Sequence, residues 1–161
     1  MGILFISIAL WSVVLYSLRV ALFGNPLYLC IVQAHPDLLV RADQVARQAR
    51  EPADAGETAF LQQFSRLTLL GAVVFMLETA LLVYLLATHQ LVWLSSLLLL
   101  KNVLLVAISL SYANQADHDG LFRSLLNVPR WVVLLDRISA LASGLGLLVA
   151  FLHVNGIQFW K

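Results

Sequence analysis

Four long apolar stretches, separated by polar segments, are the dominant pattern in this chain. Each is close to the roughly 20 residues that a helix needs to cross about 30 Å of hydrocarbon. The stretches cover residues 3–23, 67–88, 91–113 and 131–153. The pattern therefore predicts an all-α integral membrane protein, with residues 1–161 forming a single four-span transmembrane domain.

The longest polar segment, residues 24–66, contains a helical pattern of its own. Within residues 36–50, apolar side chains such as Leu38 and Ala42 recur on one helical face, while polar side chains occupy the other. This periodicity predicts a short amphipathic helix at the membrane interface. Thr58 is then expected to cap the helix that follows.

Arginines are distributed very unevenly among the polar segments. All eight lie in or next to two of them, residues 24–66 and 114–130, whereas the opposite side carries a single Lys or Arg, Lys161. Because these residues accumulate in cytoplasmic loops, the two segments are predicted to be cytoplasmic and both termini periplasmic. The protein is therefore predicted to be a multi-pass protein of the bacterial inner (cytoplasmic) membrane.

Three of these arginines, Arg41, Arg47 and Arg50, fall on the predicted amphipathic helix. Basic side chains at an interface are expected to meet anionic lipid head groups, so bound lipid is expected. A docking surface for a partner protein is the alternative.

The amino-acid composition mainly shows which classes of protein this chain does not belong to. Hydrophobic residues make up 61% of the chain and charged residues 12%, with a net charge of +1. These values are not those of a soluble domain, and no nucleic-acid partner is predicted. The single cysteine, Cys30, offers no disulfide or metal-site pattern. No catalytic motif is present, so no catalytic residue and no metal site is predicted.

Glu78 and Lys101 place opposite charges inside the second and third apolar stretches. The connection between these stretches is so short that they are predicted to form an antiparallel hairpin. Glu78 is the twelfth residue before the middle of the turn and Lys101 the twelfth after it, so both lie roughly 17 Å from the turn, near the bilayer centre. A lone charge there costs on the order of 3 kcal/mol or more. The two side chains are therefore predicted to form an intramembrane ion pair.

Two interpretations of this pair lead to different functions. In the first, the pair fixes the register of the hairpin and does nothing else. In the second, Glu78 carries a proton or a cation, or Lys101 binds an anionic group, because ionisable residues inside a membrane are functional candidates. The structural interpretation is the simpler one, since neither stretch contains proline and the two halves of the chain are not similar.

The fourth apolar stretch carries a face of small and polar side chains. Small residues let helix backbones approach closely, so this face is predicted to pack against another helix, in the same chain or in a partner. Its members are Asp136, Ser139, Ala140, Ser143, Gly144, Gly146 and Ala150. Asp136 is expected to meet an arginine or a neighbouring backbone group.

His89 and His153 lie at the ends of different apolar stretches, on the same predicted side of the membrane. A pair of imidazoles is able to ligate haem, although histidines at this level are commonly interfacial polar residues. No cofactor is the main prediction, and haem is the alternative.

These features favour a non-catalytic membrane subunit that packs into and stabilises a larger membrane protein complex, with lipid and other membrane subunits as partners. One alternative is a small proton- or ion-coupled transport subunit that uses Glu78 and Lys101. The other is a small membrane enzyme or haem-binding protein.

Overall fold

The computed structural model describes residues 2–48, 52 and 54–156. Over this part of the chain the secondary structure consists of seven α-helices with no strand, which confirms the all-α prediction. The helices are α1 (Gly2–Phe23), α2 (Pro26–Gln33), α3 (Pro36–Gln48), α4 (Ala55–Ala87), α5 (Val92–Asp119), α6 (Leu121–Leu126) and α7 (Arg130–Val154).

Three helical segments are long and apolar enough to cross a membrane, namely Leu4–Gln33, Ala55–Ala87 and Arg130–Val154. The apolar part of α5, Val92–Ile108, is shorter. Length and composition therefore indicate a helical protein embedded in a membrane, while the predicted span over residues 91–113 stays a prediction.

The four long helices pack in a ring, in which α1 contacts α7 and α4, and α5 contacts α4 and α7. Their buried apolar side chains concentrate at the end nearest the α4–α5 turn, in a cluster that we call the turn-side core. It consists of Ala9, Leu10, Val13, Val14, Leu81, Leu82, Leu85, Leu98, Leu147 and Ala150. Burial of these side chains holds the bundle together at this end.

The three short helices α2, α3 and α6 pack together at the opposite end, against the first part of α4. We call this group the arginine-side cap, because it is built from the two arginine-rich segments. Phe60 of α4 and Phe122 of α6 lie in its buried cluster, with ring centroids 5.5 Å apart. Asp43 of α3 adds a buried polar contact, since its Oδ1 accepts a hydrogen bond of 2.9 Å from the Phe122 amide.

Two helices extend beyond the predicted spans. The first helical residue of α4 is Ala55 and its cap is Asp54, so the prediction of Thr58 as the cap is wrong. Asp54 Oδ1 accepts a hydrogen bond of 2.7 Å from the Glu57 amide, the typical N-cap arrangement. At the other boundary, α5 continues to Asp119, where Gly120 with φ +94° ends it.

The predicted amphipathic helix corresponds to α3, which begins at Pro36 and has Asp37 in its first turn. Its last described residue is Gln48, and the predicted end at residue 50 lies outside the described residues.

Candidate functional site

The structure brings Glu78 and Lys101 together inside the bundle. Lys101 Nζ donates a hydrogen bond of 2.9 Å to Glu78 Oε1. Glu78 is nine residues before the end of α4 at Ala87, and Lys101 is nine residues after the start of α5 at Val92. The two helices leave the turn in opposite directions, so this equal spacing places both side chains at one depth.

Ser143 of α7 completes the pair. Its hydroxyl accepts a hydrogen bond from Lys101 Nζ and donates one of 2.9 Å to Glu78 Oε1. Ser143 is 1% exposed and Glu78 is 7% exposed. We call Glu78, Lys101 and Ser143 the charged triad, because three helices each contribute one of its members.

Two oxygen atoms beside the triad have no hydrogen-bond donor among the described residues. Asn102, which is 3% exposed, donates through Nδ2 to Thr79 Oγ1, but its Oδ1 is buried without a partner. Glu78 receives both of its hydrogen bonds at Oε1, which leaves Oε2 free to accept. The site therefore has spare acceptors, and Asn102 Oδ1 is the one of the two that is buried without a donor, which costs about 1 to 3 kcal/mol.

A cavity of about 300 Å³ extends from the triad toward the arginine-side cap. We call it the polar cavity, because half of the side chains around it are polar. These polar side chains are Tyr16, Ser17, Asn25, Thr68, Glu78, Lys101, Asn102, Asp136, Ser139 and Ser143. In the other direction the turn-side core begins one helical turn beyond Ser143, at the fully buried Leu147.

Asp136 lies at the cap end of this cavity, which Asn25 also lines. Asn25 caps α2, because its Oδ1 accepts a hydrogen bond of 3.0 Å from the Leu27 amide. The expectation that Asp136 meets an arginine or a backbone group stays a prediction. Lys101 and Arg137 both attract Asp136 electrostatically, and the Arg137 guanidinium lies beside Gly24, outside the residues that line the cavity.

The small-residue face of α7 packs within the chain. A Cβ added at Gly144 would lie 3.1 Å from Leu18 Cδ2 of α1, and one added at Gly146 would lie 2.8 Å from Leu98 Cδ1 of α5. Asp136, Ser139, Ala140 and Ser143 of the same face line the polar cavity, and Ala150 lies in the turn-side core. This one face of α7 therefore packs against α1 and α5 and also lines the polar cavity.

The remaining predicted site residues lie away from the cavity. His89 is exposed in the α4–α5 turn, and His153 lies half-buried in the last turn of α7. Arg41 forms an ion pair of 3.0 Å with Asp54. The side chain of Arg47 and the whole of Arg50 lie outside the described residues. Among the described residues no group of three or more potential metal ligands exists.

No protein-family model matches this chain, and neither a curated protein nor a solved structure matches it. The function is therefore inferred from the chemistry of the polar cavity.

Proposed function

We propose that this protein is a small proton- or cation-coupled transport protein of the membrane. In this proposal Glu78 and Asp136 hold the transported charge, and Lys101 is their counter-charge.

The observation that carries the proposal is an imbalance of charge in the polar cavity. Of the described charged residues that line it, two are carboxylates, Glu78 and Asp136, and one is an ammonium, Lys101. Lys101 forms its ion pair with Glu78, and Asp136 is attracted by Lys101 and Arg137 without forming an ion pair with a described residue. A bound proton or a small cation would supply a counter-charge in direct contact with Asp136.

The hydrogen-bonding capacity of the cavity favours the same class of ligand. Asn102 Oδ1 and the second oxygen of Glu78 are acceptors without donors among the described residues. Oxygen acceptors suit a hydronium, a hydrated alkali cation or an ammonium group, and they disfavour an anion. A purely structural ion pair would need neither these acceptors nor the second carboxylate.

The distribution of polar side chains supports access from the arginine-side cap. Asp136, Ser139 and Ser143 follow one another along the cavity-lining face of α7, from near its first turn to the charged triad. Beyond the triad, the turn-side core consists of apolar side chains, and Ser95 of α5 is a buried polar side chain at the same end. In the proposed transport mechanism, this arrangement is the state in which the cavity is closed on the side of the α4–α5 turn.

The arrangement in the membrane belongs to the same proposal. We propose that α5 is the fourth span, with the arginine-side cap in the cytoplasm of a bacterium and both termini in the periplasm. The arginine distribution supports this orientation. The antiparallel α4–α5 hairpin supports the fourth span, because its two helices meet at the depth of Glu78 and Lys101.

We expect cysteine labelling to reveal this topology. In a Cys30→Ala background, a cysteine at Asp54 should react with a membrane-impermeant maleimide only in inverted vesicles. A cysteine at Gln158 should react only in intact cells stripped of their outer membrane. The opposite pattern would show that the proposed orientation is wrong.

Transport is tested with purified protein in liposomes that contain a pH-sensitive dye. Under a potassium diffusion potential, the protein should carry protons inward faster than protein-free liposomes allow. Asp136→Asn should reduce the flux to the protein-free level, because the amide keeps the shape of the side chain and cannot ionise. Asp37→Asn is the matched control, since Asp37 is an exposed carboxylate on α3, and it should leave the flux unchanged.

Uptake of radioactive sodium and potassium into the same liposomes distinguishes transport of a metal cation from transport of a proton. Uptake of either ion that requires Asp136 would identify a metal cation as the transported charge. If protons, sodium and potassium all cross no faster than in protein-free liposomes, under either sign of the potential, the proposed function is wrong.

The hypothesis of an accessory subunit stays a prediction. One argument for it from the sequence is that the small-residue face of α7 packs against a partner. In the structure this face contacts α1 and α5 and lines the polar cavity.

A further inference from the structure

A second cavity of about 300 Å³ lies between α2, α5, α6 and α7. We call it the apolar cavity, because aliphatic side chains form most of its wall. They include Ile31, Leu105, Ile108, Leu125, Val132 and Val133. A space of this size and lining is suited to a hydrocarbon chain.

Four residues line both cavities, namely Asn25, Leu27, Leu105 and Asp136. Asp136 and Asn25 therefore belong to the boundary that the two cavities share, with a polar space on one side and an apolar space on the other. This arrangement matches an amphiphile, whose polar group and hydrocarbon chain need the two environments side by side.

The charge and the free acceptors at the junction determine which polar group fits. Asp136 supplies a negative charge, and Asn102, with its buried and unpartnered Oδ1, supplies an acceptor in the polar cavity. An anionic head group would face Asp136 and Glu78 together, and Lys101, the one cation among the described lining residues, already bonds to Glu78 and Ser143. A primary ammonium group has three donors and one positive charge, which satisfies both requirements.

We propose that the apolar cavity binds a primary alkylammonium, with its ammonium group beside Asp136 and its alkyl chain among the aliphatic side chains. This inference rests on the proposed function, because the ammonium group would occupy the proposed cation site at Asp136. Each methylene placed in the apolar cavity should raise the affinity about fourfold until the cavity is full.

The test is equilibrium dialysis of radioactive decylammonium against the full chain in lipid nanodiscs, with empty nanodiscs as the blank. We expect saturable binding of one molecule per chain, which decanol does not displace at equal concentration. Asp136→Asn should reduce the affinity for decylammonium to that for decanol, because the charge that distinguishes the two ligands is gone.

A pair of adjacent substitutions tests the apolar cavity. Val133 lines it, whereas Leu134 is exposed on the outer surface of α7. Val133→Phe fills part of the cavity and should lower the affinity for decylammonium by roughly 15-fold, the effect of about two methylenes. Leu134→Phe adds the same ring at the outer surface and should leave the affinity unchanged.

Equal displacement by decanol and decylammonium would show that the cavity holds only an apolar chain, such as that of a surrounding lipid, and would overturn the inference. Binding that is not saturable would overturn it as well. If proton or alkali-cation flux requires Asp136 while decylammonium does not bind, the inference is wrong and the proposed function stands. If decylammonium binds as expected and no flux is found, the proposed transport is wrong and the binding site stands.

Discussion

Lys101→Met alone is expected to lower the free energy of unfolding by about 3 to 5 kcal/mol, the usual result of removing one partner from a buried ion pair. It leaves the Glu78 carboxylate without its cation at a depth where a lone charge is costly. Glu78→Leu alone should have a comparable effect, because it leaves the Lys101 ammonium without its anion. Unfolding of the purified protein in mixed detergent micelles, followed by circular dichroism, measures both effects.

The double variant Glu78→Leu/Lys101→Met should recover most of this loss. Apolar residues of similar volume often replace a buried pair at little net cost. Ser143 would lose both of its partners, but a serine in a helix is able to bond to the carbonyl four residues earlier. Leu100→Met is the control for the methionine itself, since Leu100 is an exposed neighbour on α5, and it should be neutral.

Single variants as stable as the wild type would show that the two charges do not stabilise one another. The double variant also bears on function, because it removes a carboxylate from the polar cavity while keeping the fold. We expect it to be stable and inactive in the proton-flux assay. A stable and fully active double variant would show that Glu78 carries nothing.

Gly146→Leu should destabilise the bundle by about 1 to 3 kcal/mol, the usual cost of forcing a larger side chain into a packed core. Its Cβ would lie 2.8 Å from Leu98 Cδ1 and 3.4 Å from Leu94 Cδ1, so the buried Leu98 side chain has to shift, and the full leucine side chain is expected to push α5 away from α7. Leu98 lies one turn from Lys101, and Gly146 lies one turn from Ser143. The same displacement should therefore weaken the contact between Lys101 and Ser143.

Ala142→Leu provides the comparison for this variant, because Ala142 lies on the exposed side of the same helix. It should have little effect on unfolding in the same detergent titration. If Gly146→Leu is no more destabilising than Ala142→Leu, then α5 and α7 are not in close contact at this point.

Much of this architecture follows from local patterns in the sequence. The long apolar stretches predict the long helices of the bundle. The apolar side chains that recur on one helical face after Pro36 predict α3. The position of Glu78 and Lys101 at one depth follows from counting outward from the α4–α5 turn. That prediction needs only the rise of a helix and the shortness of the turn, and the two side chains lie 2.9 Å apart.

Other features depend on which helices become neighbours, and the sequence does not specify this locally. Ser143 joins the triad only because α7 lies against α5, and Asn25 and Asp136 line one cavity only because the α1–α2 junction lies against α7. The early start of α4 has a similar cause. Residues 55–66 show no long apolar run, yet Phe60 is 6% exposed in the buried cluster of the arginine-side cap and holds that part of the helix in place.

The unbroken course of α4 has a mechanical consequence. Its 33 residues make a rod about 50 Å long, which exceeds the roughly 30 Å thickness of a bilayer's hydrocarbon. Phe60 fixes one part of this rod in the cap, and Glu78 sits further along it with no proline between them. Because no proline interrupts this helix, a tilt of α4 at the cap would be transmitted along it to the Glu78 carboxylate beside Lys101.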